Sequence, residues 1–288
     1  MYTNYHGHCH YCDGQEAPET YVKAAIAQGM RGYGFSSHAP LPYGLSWAMP
    51  SERLVAYRQD IAALQQRYAD QLPIYCGLEI DYIPRVSGPN HQRWRELALD
   101  YTIGSVHFVD FFPDGRPWEI DGSHTVFLEG LEAIFDGDVR RAVERYYALI
   151  RQMVAEDTPD IVGHLDKIRL QREGGELFDE AAPWYRAAVQ QTLEVIAERG
   201  VIVEVNTRGL YKQKTSEPYP SWWILEEMKL LDIPITLNSD AHHPYEVMAF
   251  FPEMATRLRQ LGYEEEQQLL SDGWQGIPFD VAALPIPL

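Results

Sequence analysis

The sequence predicts an α/β protein: a parallel sheet of seven strands with helices packed outside it. Three observations support this. Seven short apolar segments each end in a polar, mostly ionisable residue, and stretches of helical periodicity lie between them. The spacing also leaves the dozen or more residues that a parallel crossover needs.

The strand candidates come in order. The first, Met1 to His8, is short and polar. Then follow Gly32 to His38, Ile74 to Glu79, Tyr101 to His107, Asp160 to His164, Val201 to Asn206 and Ile233 to Asp240. Their polar ends (His8, His38, Glu79, His107, His164, Asn206, Asp240) fall 30, 41, 28, 57, 42 and 34 residues apart, lengths that suit successive βα units. The 57-residue gap is expected to hold an extra loop from Asp110 to His124, rich in Pro, Gly and Asp. Pro18 to Gln28 reads as a helix, with Tyr21, Val22, Ala25 and Ile26 on one face and Gly29 placed to stop it. Leu54 to Tyr68, Val139 to Ala155, Ala181 to Arg199 and Trp222 to Leu231 read the same way, and Gly200 follows the fourth as a common helix stop.

With 45% hydrophobic, 23% charged and 12% aromatic residues, the 288-residue chain has the composition of a folded globular protein. It shows no repeat, low-complexity tract or linker, so one domain over residues 1–288 is expected, with an irregular tail from about Ser271. Asp and Glu outnumber Lys and Arg 42 to 24, a net charge of −18 that repels nucleic-acid backbones. No run of 18 apolar residues crosses a membrane, and residues 1–15 carry His, Cys and Asp where a signal peptide has an apolar region. Three cysteines make no disulfide framework, so a reducing, cytoplasmic setting is expected. Oligomeric state is not legible.

The positions of the histidines say more than their number. His6, His8, His38, His107, His164 and His242 all lie at or just after the carboxyl end of a strand candidate, the edge where parallel α/β folds build their sites. His6 and His8 form H-x-H, and side chains two apart on an extended chain share a side, so both imidazoles can meet one ion. Asp240 and His242 repeat the pattern as D-x-H. Glu79 ends an apolar segment; it is either a paired structural carboxylate or a bridge between two cations held about 3.5–4 Å apart. Asp13 is either a turn residue before Gly14 or a ligand returning to the same cavity. Cys9 and Cys12 form C-x-x-C without the strand-then-helix setting of a redox motif; Cys9 alternates away from His8 and packs, and Cys12 stays an alternative sulfur ligand.

Seven ordered blocks resemble the PHP (polymerase and histidinol phosphatase) family, most closely its histidinol-phosphate phosphatases. They are His6-Gly7-His8, Ser37-His38-Ala39-Pro40, Gly77-Leu78-Glu79-Ile80-Asp81, Gly104-Ser105-Val106-His107-Phe108, Gly163-His164-Leu165-Asp166, Glu204-Val205-Asn206-Thr207 and Asn238-Ser239-Asp240-Ala241-His242. The resemblance runs from His6 to about Pro244 and implies a distorted (β/α)7 TIM-like barrel with a trinuclear metal centre. Carried over, it implies a first ion on His6, His8, Glu79 and Asp240, and a second on Glu79, His107 and His164. A third ion would sit on Asp13, His38 and His242. The ions would be Zn, Mn or Fe. Many members have a histidine near Asp13, and a carboxylate there suits a harder ion.

The implied activity is hydrolysis of L-histidinol phosphate to L-histidinol and phosphate in histidine biosynthesis, by a metal-bridging hydroxide whose pKa falls to roughly 7 between two cations. Six positive charges from three ions exceed the three carboxylates Asp13, Glu79 and Asp240, so an acidic chain can still hold an anionic substrate. Glu79, Asp240, His242 and His243 are the expected catalytic group, with His243 or a metal-bound water as general acid. Arg169, Arg208, Lys212 and His107 are the expected substrate contacts. Where the family usually reads Asn-Thr-Ser/Ala-Gly-Leu-Arg, this chain has Asn206-Thr207-Arg208-Gly209-Leu210-Tyr211, so Arg208 or Lys212 takes the arginine's place. Asp110, Asp114, Glu119 and Asp121 are candidates for an acidic rim, and Phe111, Phe112 and Trp118 for stacking on an imidazole. The alternative is a PHP phosphoesterase acting on another small phosphomonoester, a nucleotide or a nucleic-acid 3′ end. A catalytically silent domain should have lost ligands, and all nine positions here hold metal-competent side chains.

Overall fold

Short segments rich in Val, Ile and aromatic residues, buried on both faces, pair as parallel strands under a layer of helices. In the computed structural model, which describes residues 2–172 and 177–279, the strands run in chain order as follows. β1 is Thr3–Asn4, β2 Gly32–Phe35, β3 Ile74–Asp81, β4 Tyr101–Ser105, β5 Phe108–Phe111 and β6 Pro117–Glu119. β7 is Ile161–Val162, β8 Ile202–Asn206, β9 Ile235–Asn238, β10 Glu265–Leu270 and β11 Gly273–Pro278. Seven of them form one parallel sheet in the order β1-β2-β3-β4-β7-β8-β9, a nearly closed barrel. The helices are α1 Pro18–Ala27, α2 Leu54–Arg67, α3 Gln92–Arg95, α4 His124–Phe135, α5 Val139–Glu156, α6 Pro183–Arg199, α7 Arg208–Tyr211, α8 Trp222–Leu230 and α9 Phe251–Gln260.

The seven expected strands are all present, and five expected helices match α1, α2, α5, α6 and α8 within two residues at each end. Gly29 and Gly200 sit at φ +69° and +64°, the left-handed conformation that ends a helix at little cost to glycine. The expected loop from Asp110 to His124 is instead structured: β5 and β6 pair as an antiparallel hairpin around Asp114-Gly115, and α4 begins at His124 behind a Ser123 cap. The expected irregular tail is also corrected. β10 and β11 form a hairpin that turns at Ser271-Asp272, and residues 280–288 of that tail lie outside the described residues.

β1 and β9 close the barrel without ladder pairing. Tyr5 N–H donates to Asn238 Oδ1 at 2.7 Å, Asn4 Nδ2 donates to Ser239 Oγ at 2.8 Å, and Asn4 Oδ1 accepts from His6 N–H at 3.0 Å. Beyond them, His8 N–H reaches the Ala241 carbonyl at 2.8 Å and Ala241 N–H the His6 carbonyl at 3.0 Å. This seam fixes the two chain ends that carry His6, His8 and Asp240 against each other. At the opposite end, Tyr5, Tyr101, Ile103, Ile161 and Ile202 form a separate core cluster, which Leu269 and Trp274 of the hairpin cover. Tyr101 lies so close over β3 that a Cβ on Gly77 would meet its ring at 2.6 Å, so only glycine fits there.

Glu266, on the hairpin, is buried; its carboxylate accepts Leu237 N–H at 3.1 Å and the Gln268 side-chain amide at 3.0 Å. Burial raises its pKa from 4.5 to about 7. A raised folded-state pKa gives stability that is complete below about 4.5 and lost as pH rises through about 7, a difference of about 3 kcal/mol. Glu266→Gln, with the Gln268 amide turned to present its unpartnered Oε1, is therefore expected to be more stable than the parent at pH 8.5 and equal to it near pH 4. Urea unfolding at the two pH values measures this; a parent whose stability is flat across neutral pH would contradict it.

Candidate metal centre

The carboxyl ends of the barrel strands bring nine imidazole and carboxylate side chains into one cavity. His6 and His8 follow β1 in extended chain, and their Nε2 atoms lie 3.3 and 3.6 Å from Glu79 Oε2. The turn after them returns Asp13 to the same place. Gly14 makes that turn possible, because a Cβ there would stand 2.4 Å from the Cys9 backbone nitrogen. Asp13 Oδ2 is 3.2 Å from His242 Nε2 and Asp13 Oδ1 is 3.8 Å from His38 Nε2.

Glu79, near the end of β3, stands at the middle and its two oxygens face different partners. Oε2 approaches His6, His8 and His38, the last at 2.8 Å from Nδ1. Oε1 approaches His164 Nε2 at 3.0 Å and His107 Nε2 at 3.7 Å, and accepts Ser105 Oγ–H at 2.7 Å. Asp240 Oδ1 closes the cluster, 3.2 Å from His8 Nε2 and 3.8 Å from His6 Nε2. Asp240 itself sits at φ +52°, a conformation that costs a non-glycine residue energy and that clusters at functional sites.

Ligand atoms within 4.8 Å of one another fall into three groups: His6, His8 and Asp240; Glu79, His107 and His164; His8, Asp13, His38 and His242. All nine residues expected from the sequence are in them. His6 Nε2, His8 Nε2, His38 Nδ1, Glu79 Oε2 and Asp13 Oδ1 are buried and make no well-aligned hydrogen bond, the His38 and Glu79 atoms in spite of standing 2.8 Å apart. Buried polar atoms left unpaired cost about 1–3 kcal/mol each, so five together mark a place built for cations. The imidazole, carboxylate donor set suits Zn, Mn or Fe.

Electrostatics keep Glu79, Asp240 and His8 in ligating form, whereas nearby carboxylates outweigh burial and raise the pKa of His6, His38 and His107, whose protons an arriving cation would displace. Burial alone would raise the Glu79 carboxyl, but His38 and His6 hold it well below the usual carboxylate range. Asp240 is likewise held low against its burial by His6 and Arg208. Burial, with His242 and His38 close by, pushes His8 well down, so its imidazole is neutral as a ligand must be. Two imidazoles have carboxylates behind them: Glu204 Oε2 is 2.8 Å from His6 Nδ1, and Asp81 Oδ1 is 2.8 Å from His107 Nδ1. Such outer partners fix tautomer and ring orientation. Their roles were not read from the sequence, although Asp81 lies two residues from Glu79 on one strand and Glu204 two residues from Asn206 on another, the spacing that puts side chains on one face.

The cavity above the cluster is lined by Asp13, His38, Trp47, His107, Glu119, Asp121, Lys167, Leu170, Arg208, Gly209, Lys214, Tyr219, Asp240 and His242. Of the expected substrate contacts, Arg208 and His107 line it and two do not. Arg169 is buried elsewhere, its guanidinium donating to Asp166 Oδ2 at 3.1 Å and to the Pro218 carbonyl at 2.6 Å. Lys212 is committed to the buried carboxylate of Glu246. Their neighbours Lys167 and Lys214 line the cavity instead. His243 does not line it either; its ring stacks on Tyr245 at 4.0 Å and its backbone N–H donates to Glu246. Of the expected acidic rim, Glu119 and Asp121 line the cavity, whereas Asp114 pairs with exposed Arg116. Trp118 is fully buried against Phe127 and Phe135, and Phe112 is buried, so Trp47 and Tyr219 supply the aromatic surface.

Residues 4–208 match the family model of the PHP domain. A protein of Deinococcus radiodurans named "Probable histidinol-phosphatase" is 31% identical to this chain, over 85% of it and 87% of that protein. The histidinol-phosphatase of Bacillus subtilis is 30% identical, over 84% of this chain and 94% of its own. Among solved structures, the histidinol phosphate phosphatase of Lactococcus lactis, complexed with zinc, L-histidinol and phosphate, superposes with a TM-score of 0.73 at 22% identity. The match covers 95% of this chain and 98% of that one, and shows the same fold.

Proposed function

The chain belongs to the PHP family, and from that premise we propose that it hydrolyses L-histidinol phosphate to L-histidinol and phosphate. The observation that carries this is Glu79, whose two oxygens serve separate imidazole sets on the floor of a cavity with cations on its wall. Three ions are assigned as expected from the resemblance. His6, His8, Glu79 and Asp240 hold the first; Glu79, His107 and His164 the second; Asp13, His38 and His242 the third. The zinc in the Lactococcus structure supports zinc as one occupant. Bound there, the ions would acidify a water and neutralise charge on the phosphoryl oxygens.

The rest of the work falls to side chains. Lys167, Arg208 and Lys214 face one volume, and burial together with Arg208 and Lys167 lowers the Lys214 ammonium pKa, a repulsion that an arriving phosphate relieves. Lys167 is braced by Asp121 at 3.3 Å, which leaves Glu119 as the carboxylate for the cationic end of the substrate. Trp47 fixes Glu119 through an Nε1–H donated to Oε1 at 3.2 Å and presents its ring beside His38 and His107. A phosphate at one end and a cation at the other is the charge pattern of histidinol phosphate.

Phosphate release from histidinol phosphate and from neutral monoesters, on protein reconstituted with each metal in turn, tests the assignment. The expected result is a higher kcat/KM for histidinol phosphate; equal values on every ester would replace it with a generalist phosphatase.

A further inference from the structure

His6 and His107 each have a carboxylate behind the ring, but His8 does not. Its Nδ1 faces Cys12 Sγ at 3.5 Å. The same sulfur lies 3.5 Å from the Cys9 carbonyl oxygen, which is placed to accept the S–H. That leaves a sulfur lone pair for the His8 Nδ1–H. On the other side of the ring, His8 Nε2 is fully buried, makes no hydrogen bond and points at Glu79 and Asp240. His8 is also the one residue shared by two of the three ligand groups, so the setting of its ring bears on both. Cys9 takes no part: its sulfur turns to Ser37 Oγ at 3.3 Å.

We propose that Cys12 is a positioning residue of the metal centre, its sulfur accepting the His8 Nδ1–H and so fixing the Nε2 lone pair toward the ions. The proposal rests on the metal-centre reading above. It gives the C-x-x-C a role that is neither a disulfide nor a sulfur ligand: the thiol acts through the imidazole and touches no ion. An outer partner of this kind is typically worth about 10–100-fold in metal affinity. A thiol is a weaker acceptor than the carboxylates behind His6 and His107, so the lower end of that range is expected.

The test is competition for Zn²⁺ against a chromophoric chelator on the full-length protein, with the Co²⁺-substituted absorption spectrum as a second readout. Cys12→Ala is expected to weaken at least one ion about 10-fold and to change the Co²⁺ bands. Cys12→Ser keeps an acceptor and should bind more tightly than the alanine variant, with the Co²⁺ bands of the parent. Cys12→Val, which fills the space without accepting the N–H, should behave as the alanine variant does and replaces it if that variant does not fold. Alanine or valine variants with parental affinity and spectrum would overturn the proposal, as would a serine variant as weak as valine, which would mean that sulfur packing alone matters. Parent protein that binds no ion at all would instead remove the metal-centre reading itself.

Discussion

Glu79→Gln is expected to lose phosphatase activity by well over the ~100-fold that an outer partner costs, with loss of bound metal in parallel. Among the described residues, this carboxylate is the only group whose two oxygens reach separate sets of imidazoles: His6, His8 and His38 on one side, His107 and His164 on the other. An amide supplies one neutral oxygen and turns N–H donors toward whichever set receives its nitrogen, where a cation should sit. Ser105, which donates to Oε1 at 2.7 Å, favours the oxygen facing His107 and His164, so the damage should fall on the His6, His8 and Asp240 side. Steady-state phosphate release together with elemental analysis of the variant measures both losses. A variant with near-parental activity would show that the two imidazole sets do not share a bridging ligand.

The next largest effect separates two neighbouring cations. Lys167→Met is expected to lower kcat/KM for histidinol phosphate about 10²–10³-fold, the cost of removing one donor aimed at developing charge, with little loss of stability. Asp121, left without its partner, is about a quarter exposed and reaches water. Arg169→Met should do the opposite. It leaves Asp166 buried and uncompensated, a loss of about 3–5 kcal/mol of stability, while folded enzyme keeps its kcat and KM. Kinetics and urea unfolding on the two variants read this out, and the reverse pattern would return the phosphate contact to Arg169.

That contrast shows where sequence reasoning stops. Strand ends were legible because parallel strands deliver their carboxyl ends to one edge, so six histidines, Glu79 and Asp240 at such ends had to lie near one another. The cations were not, because their directions depend on short irregular elements. Lys167 and Arg169 share a 3₁₀ turn over Lys167–Arg172, where two residues' difference moves a side chain from the cavity to the core. After α7, Gln213 at φ +54° reverses the chain, so Lys214 returns to the cavity and Lys212 faces Glu246. α9 had a readable pattern, Phe251, Met254, Ala255 and Leu258 being buried at helical spacing, and the hairpin after it turns at Ser271-Asp272 just before Gly273, ordinary turn chemistry. Trp47 gave no signal: it lies in a stretch between His38 and the helix beginning at Leu54 with no periodicity, and only the closed fold lays it beside His38.

The most direct measurement is elemental analysis of active protein beside its chelator-treated form. The account predicts three equivalents of divalent transition metal per chain, loss of activity on chelation, and recovery when zinc, manganese or iron is returned. Active protein that carries no such metal, and that chelators leave unchanged, would contradict it.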